Sequence, residues 1–332
     1  MARLVWFPLL AAMVSVFLAY STLLGYCDIM EESSCPSIIV DVYAGEPISF
    51  EAMLDDLETV SIVYLGELHT IQRHHNFQLA VIRGLFQRRP SLYLGMEMFN
   101  AGQQEVLDRW LAGHDSLARL GEQLGSEKWT NLSDYESLLL FARRNGIQVV
   151  GLNVSNDLVR KVVRGQQGDL SKKELKDLPE EALLTPNPLY DKLLRLKLRV
   201  HKAFQGKSLD GVIRGQLLRD SVMAQTIVRT LESLKGKNPV FAVVAGSGHL
   251  GYGFGIPERV RAKMQVSDRI ILPTESGHLI LSDEERRQAV PVEITHEDLR
   301  FIREPIADYL YVLPMAASHP ESKELADALP LK

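Results

Sequence analysis

The sequence predicts an α/β fold, a mostly parallel central sheet with helices on both faces and a helix-rich insertion in the middle. Three observations carry this. Short apolar runs that end in glycine or a polar residue alternate with stretches of helical spacing. The composition, 46% hydrophobic and 24% charged over 332 residues, is that of a globular protein. No internal repeat or low-complexity tract breaks the alternation. Strands alternating with helices are joined by crossovers, and crossover helices cover both faces of the sheet they build.

In chain order, Ser61 to Leu65 is a short apolar run closed by Gly66 and reads as the first strand. Ile71 to Gln87 has helical spacing through Phe77, Val81 and Leu85. Leu92 to Met96 is a second strand, followed by helical stretches around Gln103 to Leu111 and Asp134 to Arg144. The Asn145-Gly146 turn announces a third strand, Ile147 to Asn153. A helix-rich middle runs from Asp157 to Leu234. Pro239 to His249, Arg269 to Pro273 and Tyr309 to Pro314 complete the strands.

The amino-terminal segment reads differently. Leu4 to Tyr26 carries no charge, follows Arg3, and runs into Asp28, Glu31 and Glu32. A basic start followed by a long apolar run is an export signal, which puts Cys35 onward outside the cytoplasm. Three products are open: cleavage after Ala19-Tyr20-Ser21, retention of the run as a membrane anchor, or lipidation at Cys27. For lipidation, Tyr26 stands where a small residue is usual. Cys27 and Cys35 are close enough in sequence to pair in an oxidising compartment. The divisions are therefore residues 1–26 as signal or anchor, 27–45 as linker, 46–275 as the α/β domain and 276–332 as a carboxy-terminal extension. A net charge of −5 gives no basic face for nucleic acid.

Ligands of parallel sheets bind beyond the carboxyl ends of the strands. Strand one ends in Gly66-Glu67-Leu68-His69, strand two runs into Glu97, strand three into Asn153, and the strand at Pro239 into Gly246-Ser247-Gly248-His249. Gly-x-x-His thus stands twice at a strand end. Glu67, His69, Glu97 and His249 can bind a divalent metal or act as general acid and base; the same groups can also cap strand ends. His74 falls on the apolar stripe of its helix and His75 toward a flank. Asp220 lies within the apolar stripe of the helix Val212 to Leu234, where a carboxylate needs a partner.

Gly246 to Pro257, "GSGHLGYGFGIP", surrounds His249, Tyr252 and Phe254 with glycine and leaves room for a flat ligand near the backbone. It matches neither a dinucleotide fingerprint nor a P-loop. Tyr252 offers an oxygen donor suited to ferric iron; an aromatic lid is the alternative. No Cys-x-x-Cys-His is present, so any haem would be held noncovalently.

"YLGELHT", "LGMEMF", Trp129 and Tyr135 ahead of "VVGLN", "LLRDSVMA" and "AGSGHLGYGFGIP" stand in the order seen in ChaN-like haem-binding proteins. The chain resembles that family, within the wider superfamily of Tiki proteins, TraB proteins and erythromycin esterases, from about Val60 to Pro273. The resemblance implies a parallel-sheet α/β fold and an exported, membrane-tethered, often lipidated protein of haem and iron uptake. It further implies haem as cofactor and a tyrosine ligating its iron at the interface of a homodimer. By position, Glu67, His69, Glu97 and His249 match the polar set of the superfamily, and Arg219 matches its motif arginine. Tyr252, His249, His69 and Arg219 are the haem candidates, with Tyr190 competing for the iron. The alternative is a metal-dependent hydrolase, as the Tiki and esterase branches imply, with Glu67, His69, Glu97 and His249 holding a divalent metal or activating water.

Overall fold

The most apolar runs of the sequence form the middle of the sheet. In a computed structural model of the chain, residues 38–113, 115–166, 187–198, 208–275 and 296–313 are described, with isolated positions between 170 and 179. The strands are β1 (Ile38–Asp41), β2 (Glu46–Ile48), β3 (Ile62–Glu67), β4 (Leu92–Asn100), β5 (Gln148–Asn153), β6 (Val240–Gly246), β7 (Asp268–Glu275) and β8 (Tyr309–Leu313). The helices that precede β6 are α1 (Phe50–Leu57), α2 (Gln72–Arg88), α3 (Gln104–Ala112), α4 (Leu117–Leu124), α5 (Glu136–Arg144), α6 (Asn156–Val163), α7 (Pro188–Leu198) and α8 (Asp210–Ser233). After β6 come the short α9 (Ser247–Leu250), α10 (Ile256–Lys263) and α11 (His296–Leu299).

The sheet order is β2-β1-β8-β7-β3-β6-β4-β5. The strands from β8 to β5 are parallel, and β1 runs antiparallel to both β2 and β8. This is the α/β fold with a mostly parallel sheet that the alternation predicted. β3 and β6, every residue buried, lie side by side at its centre. Their apolar side chains leave water on both faces, each worth ~1.5–3 kcal/mol when fully buried.

Two cores result. On one face α1 to α5 contribute Met53, Leu54, Val81, Leu85, Leu107, Trp110, Leu120 and Leu138. On the other, Met223, Ala224 and Ile227 of α8 pack with Ile256 and Val260 of α10. Local signals agree with these elements. Ser49, Ser116 and Ser155 cap α1, α4 and α6 by accepting from Ala52 N, Arg119 N and Leu158 N. The free edge of β5 is covered by one side chain: the Gln104 amide donates to Val149 O and accepts from Gly151 N, each at 2.8 Å. It mimics a neighbouring strand.

Four features differ from the reading of the sequence. Gly66 does not turn the chain, because β3 continues through it. Its role is close packing, since a Cβ there would come within 2.3 Å of Leu272 Cδ2. β4 runs on past Met96 to Asn100. Ile38–Asp41, within the stretch read as linker, pairs as β1, beside Tyr309–Leu313, which forms the strand expected there and pairs with both β1 and β7. His75 does not sit at a flank; it is as buried as His74, because Tyr135 packs against it with ring centroids 4.4 Å apart. Leu4–Tyr26, Cys27 and Cys35 lie outside the described residues. Among those residues no helix is long and apolar enough to cross a membrane.

Candidate functional site

The strand order determines what the rim contains. β3 is followed by α2 and then β4, and β6 returns to lie between β3 and β4. Such a reversal opens a crevice at the carboxyl ends of the strands. Register places Glu67 opposite Gly246, while Met96 opposite Val244 brings Glu97 out at nearly the same level.

Glu67 is fully buried, and its carboxylate is held from several sides. Oε1 accepts from His69 Nδ1 at 2.6 Å and from the Tyr135 hydroxyl. Oε2 accepts from Gln78 Nε2 at 2.9 Å, and His75 Nε2 stands 3.6 Å away. Gln78 is carried inward by α2 and also reaches the carbonyls of Leu65 and Gly66. The opening of the loop is pinned by His74, whose Nδ1 accepts from Leu68 N at 2.9 Å. His69 retains solvent access, with its side chain 35% exposed and Trp129 packed edge-on at 5.1 Å. Burial works against its charged form, but the Glu67 hydrogen bond and the Glu97 charge outweigh this and raise its pKa.

On the neighbouring strands, Glu97 Oε2 accepts from Gly246 N at 2.8 Å and its Oε1 lies 3.2 Å from His249 Nε2. His249 Nδ1 is 2.5 Å from Asp220 Oδ1, and Asp220 Oδ2 accepts from the Tyr190 hydroxyl at 2.7 Å. Burial opposes charge on His249, yet Glu97 and Asp220 push its pKa up to about 10. The charged ring donates from both nitrogens. The Asp220 that interrupts an apolar stripe thus has its partners. Arg219 turns the other way, donating to Asn153 Oδ1 and Asn156 Oδ1 at 2.9 Å each, while Asn153 donates to the Glu97 carbonyl at 3.0 Å.

The two histidine–carboxylate groups meet over Gly246. A Cβ on Gly246 would stand 2.9 Å from His69 Nε2 and 3.6 Å from Glu97 Oε2. Glu67, His69, Glu97 and His249 are therefore gathered at one place, with Arg219 behind Asn153. Asp220, Gln78 and Tyr135 complete the network. Tyr135 and Gln78 escaped the sequence reading of the site, and the only signal for Tyr135 was its place ahead of "VVGLN".

The arrangement gives no support to a metal centre. Among the described residues no group of three or more His, Cys, Asp or Glu side chains could hold a metal ion. The proposed ligands His69, His249, Glu67 and Glu97 have turned their donor atoms on one another. Each oxygen of Glu67 and Glu97 faces an N–H or O–H group, and both nitrogens of His249 face carboxylates.

Tyr252 keeps different company. Its backbone is left-handed (φ 60°, ψ 9°), and its N–H donates to Ile306 O at 2.8 Å. That conformation costs a non-glycine residue of order 1–3 kcal/mol and persists where surrounding structure holds it. The half-buried ring stacks on Phe254 with centroids 6.3 Å apart, and Lys197 Nζ is 6.0 Å from its centroid. Burial raises the pKa of the phenol. Tyr190, by contrast, is wholly buried with its oxygen committed to Asp220.

The fold is similar to that of a solved ChaN from Campylobacter jejuni with cofacially bound haem. The TM-score is 0.57 at 19% identity, covering 83% of this chain and 96% of that one. A solved erythromycin esterase mutant in its open conformation is more distant, with a TM-score of 0.44 and 15% identity over 69% of this chain and 73% of that one. Among curated proteins, RETICULATA-RELATED 5, a chloroplastic protein of Arabidopsis thaliana, is 24% identical over 327 residues. That match takes in 90% of this chain, which spans 40% of the length of the relative. The model of the family described as "Haem-binding uptake, Tiki superfamily, ChaN" matches residues 53–260, from α1 through β6 into α10. With that match running through every strand end of the rim and through Tyr252, the chain belongs to the ChaN family of haem-binding uptake proteins in the Tiki superfamily.

Proposed function

We propose that this protein binds haem through Tyr252 and takes part in haem or iron acquisition as an exported, membrane-tethered protein. The observation that carries the reading is the state of Tyr252. It is a half-buried phenol held in a left-handed backbone, stacked on Phe254, and lying within the span of a haem-binding family. Phenolate oxygen is a hard anionic donor that supports ferric haem.

The chain's residues fit an open-faced site. The cleft beside Tyr252 has a volume of about 250 Å³; Tyr43, Phe254 and Ala307 line it together with Arg261 and the carboxylates of Glu258, Glu304 and Asp308. Pockets that enclose a drug-sized ligand run to ~300–1,000 Å³. Tyr252 would hold the iron while Phe254 supplied apolar contact. His69 and His249, the other imidazole candidates, already face carboxylates. Haem supplies iron as the cargo of uptake, and the chain supplies the oxygen donor. A second copy of this chain would cover the open face. Export rests on Arg3 and the uncharged run to Tyr26.

Haemin titration tests the ligand. The wild-type chain should give a high-spin ferric spectrum that Tyr252→Phe abolishes without loss of fold. An unchanged spectrum in that variant would remove Tyr252 from the site.

One observation favours a second reading, hydrolysis at the rim: the Glu67–His69 pair, at 2.6 Å, has solvent access through His69. A carboxylate-oriented imidazole can move a proton to or from water. Ester hydrolysis that survives EDTA and is lost in His69→Ala would support it, and no turnover across a panel of activated esters would sink it.

A further inference from the structure

The cleft beside Tyr252 carries an unbalanced charge. Glu258, Glu304 and Asp308 line it, and among the described residues Arg261 is the only cation that does. Arg261 is already taken up by Asp268, on which it is forked at 2.8 and 2.5 Å. Arg269, whose charge also reaches Asp308, is forked on Asp56 at 2.7 and 2.8 Å. The donors that do serve these carboxylates are neutral. Glu258 Oε1 accepts from Asn187 Nδ2 at 2.9 Å, and Asp308 Oδ2 accepts from Ile270 N at 2.7 Å. Glu304 is exposed at the mouth. Between these groups Phe254 and Ala307 present apolar surface.

We propose that this cleft selects its tetrapyrrole by charge. The edge of the macrocycle without propionates enters it, and Glu258, Glu304 and Asp308 turn away a porphyrin that carries carboxylates on that edge. The inference rests on the reading of Tyr252 as the iron ligand and adds to it the orientation and chemical class of the ligand. At about 250 Å³ the cleft admits part of a macrocycle and leaves the rest outside. Haem is two-sided, with both propionates on one edge and vinyl and methyl groups on the others. Propionates in the cleft would lose water and meet like charges, with no free cation to answer them. Vinyl groups there would meet Phe254 and Ala307 while the propionates stay hydrated outside.

The experiment titrates the full chain with haemin, iron mesoporphyrin and iron coproporphyrin III, and reads affinity from porphyrin absorption. Mesoporphyrin replaces the vinyl groups by ethyl groups at the same charge, whereas coproporphyrin III puts propionates in their place. Haemin and iron mesoporphyrin should bind alike, and iron coproporphyrin about tenfold or more weaker, the scale of like charges a few ångströms apart. The Glu258→Gln/Glu304→Gln double variant should close most of that gap and keep its affinity for haemin. Glu304→Gln alone, at an exposed position, gives the same comparison if the double variant does not fold. Equal wild-type affinity for iron coproporphyrin and haemin would overturn the proposal. So would a gap that stays as wide in the glutamine variants, because the size of the substituents would then set it. Either result, with haemin binding lost in Tyr252→Phe, would leave Tyr252 standing as the ligand. Failure of the wild-type chain to bind haemin, or full binding by Tyr252→Phe, would remove the Tyr252 reading itself.

Discussion

Tyr135 donates its phenolic hydrogen to Glu67, a carboxylate 68 residues earlier in the chain. Both side chains are fully buried, and the same Glu67 oxygen also accepts from His69. A phenol that donates to a buried carboxylate resists ionisation; burial first, then the Glu67 charge and bond, hold the Tyr135 pKa far above its ordinary value. Tyr135 therefore acts as a fixed donor that orients Glu67 for His69.

Tyr135→Phe should leave Glu67 with one donor fewer in a site that water does not reach. The expected loss is ~1–3 kcal/mol, read as a lower urea midpoint at unchanged slope. A midpoint equal to wild type would mean that this bond contributes nothing to the folded state.

Gly246→Ala tests how closely β6 and the rim loop approach. The new methyl group would stand 2.9 Å from His69 Nε2 and 3.0 Å from its Cε1, so the ring must swing away from β6. Destabilisation of ~1–3 kcal/mol is expected, together with a change in the NMR signals of His69 and none in those of Tyr309. Unaltered His69 resonances would contradict the close approach.

Stability should fall on both sides of neutrality. His249 has a folded pKa raised to about 10, above the ~6.5 of a free imidazole, so its stabilisation is complete below ~6.5 and lost as pH rises through about 10. His74 has the opposite sign. Burial, then His75 and Arg73, lower it to about 4, so its contribution is complete above ~6.5 and lost as pH falls toward about 4. The unfolding free energy measured against pH should slope by at most ~1.4 kcal/mol per unit for each such group. Asp220→Asn should flatten the alkaline limb and leave the acid limb alone. An alkaline limb that survives in this variant would show that Asp220 does not hold the His249 charge.

Gln104→Ala should uncover the edge of β5. It removes two hydrogen bonds of 2.8 Å to the strand backbone, at ~0.5–1.5 kcal/mol each. Amide exchange at Gly151 should quicken, and the protein should aggregate more readily because a free strand edge recruits others. Gly151 protection equal to wild type would remove Gln104 from this role.

Much of the site was legible because strand ends carry their chemistry in adjacent residues. Gly66-Glu67-Leu68-His69 and Gly246-Ser247-Gly248-His249 each join a buried run to a carboxylate or imidazole, and parallel strands bring such ends to one rim. Asp220 was legible as an anomaly, a carboxylate where the stripe of α8 demands an apolar side chain. Its partner was not, because no local rule connects position 220 with position 249. Tyr135 and Gln78 were hidden for the same reason. A tyrosine or glutamine in a helical stretch looks alike whether its polar end meets solvent or a carboxylate.

The metal expectation gains no support, on a distinction that sequence cannot make. His69, His249, Glu67 and Glu97 are the right residue types, but ligation needs their lone pairs aimed outward at one point. Here the packing of α2, α5 and α8 supplies Gln78, Tyr135 and Asp220 to take those positions up.

By itself the sequence determined the α/β class, the order of the main strands and helices from Ser61 onward, and which residues stand at strand ends. These follow from local periodicity, because burying one face of a helix or both faces of a strand requires a repeating apolar pattern. Only the tertiary structure decided that β6 lies between β3 and β4. That insertion sets His69 against Gly246 and His249 against Glu97. It also turned possible ligands into paired charges and left Tyr252 on a separate loop beside Lys197. The physical reason is that strand neighbours are selected by the packing of whole faces, over separations that no local pattern records.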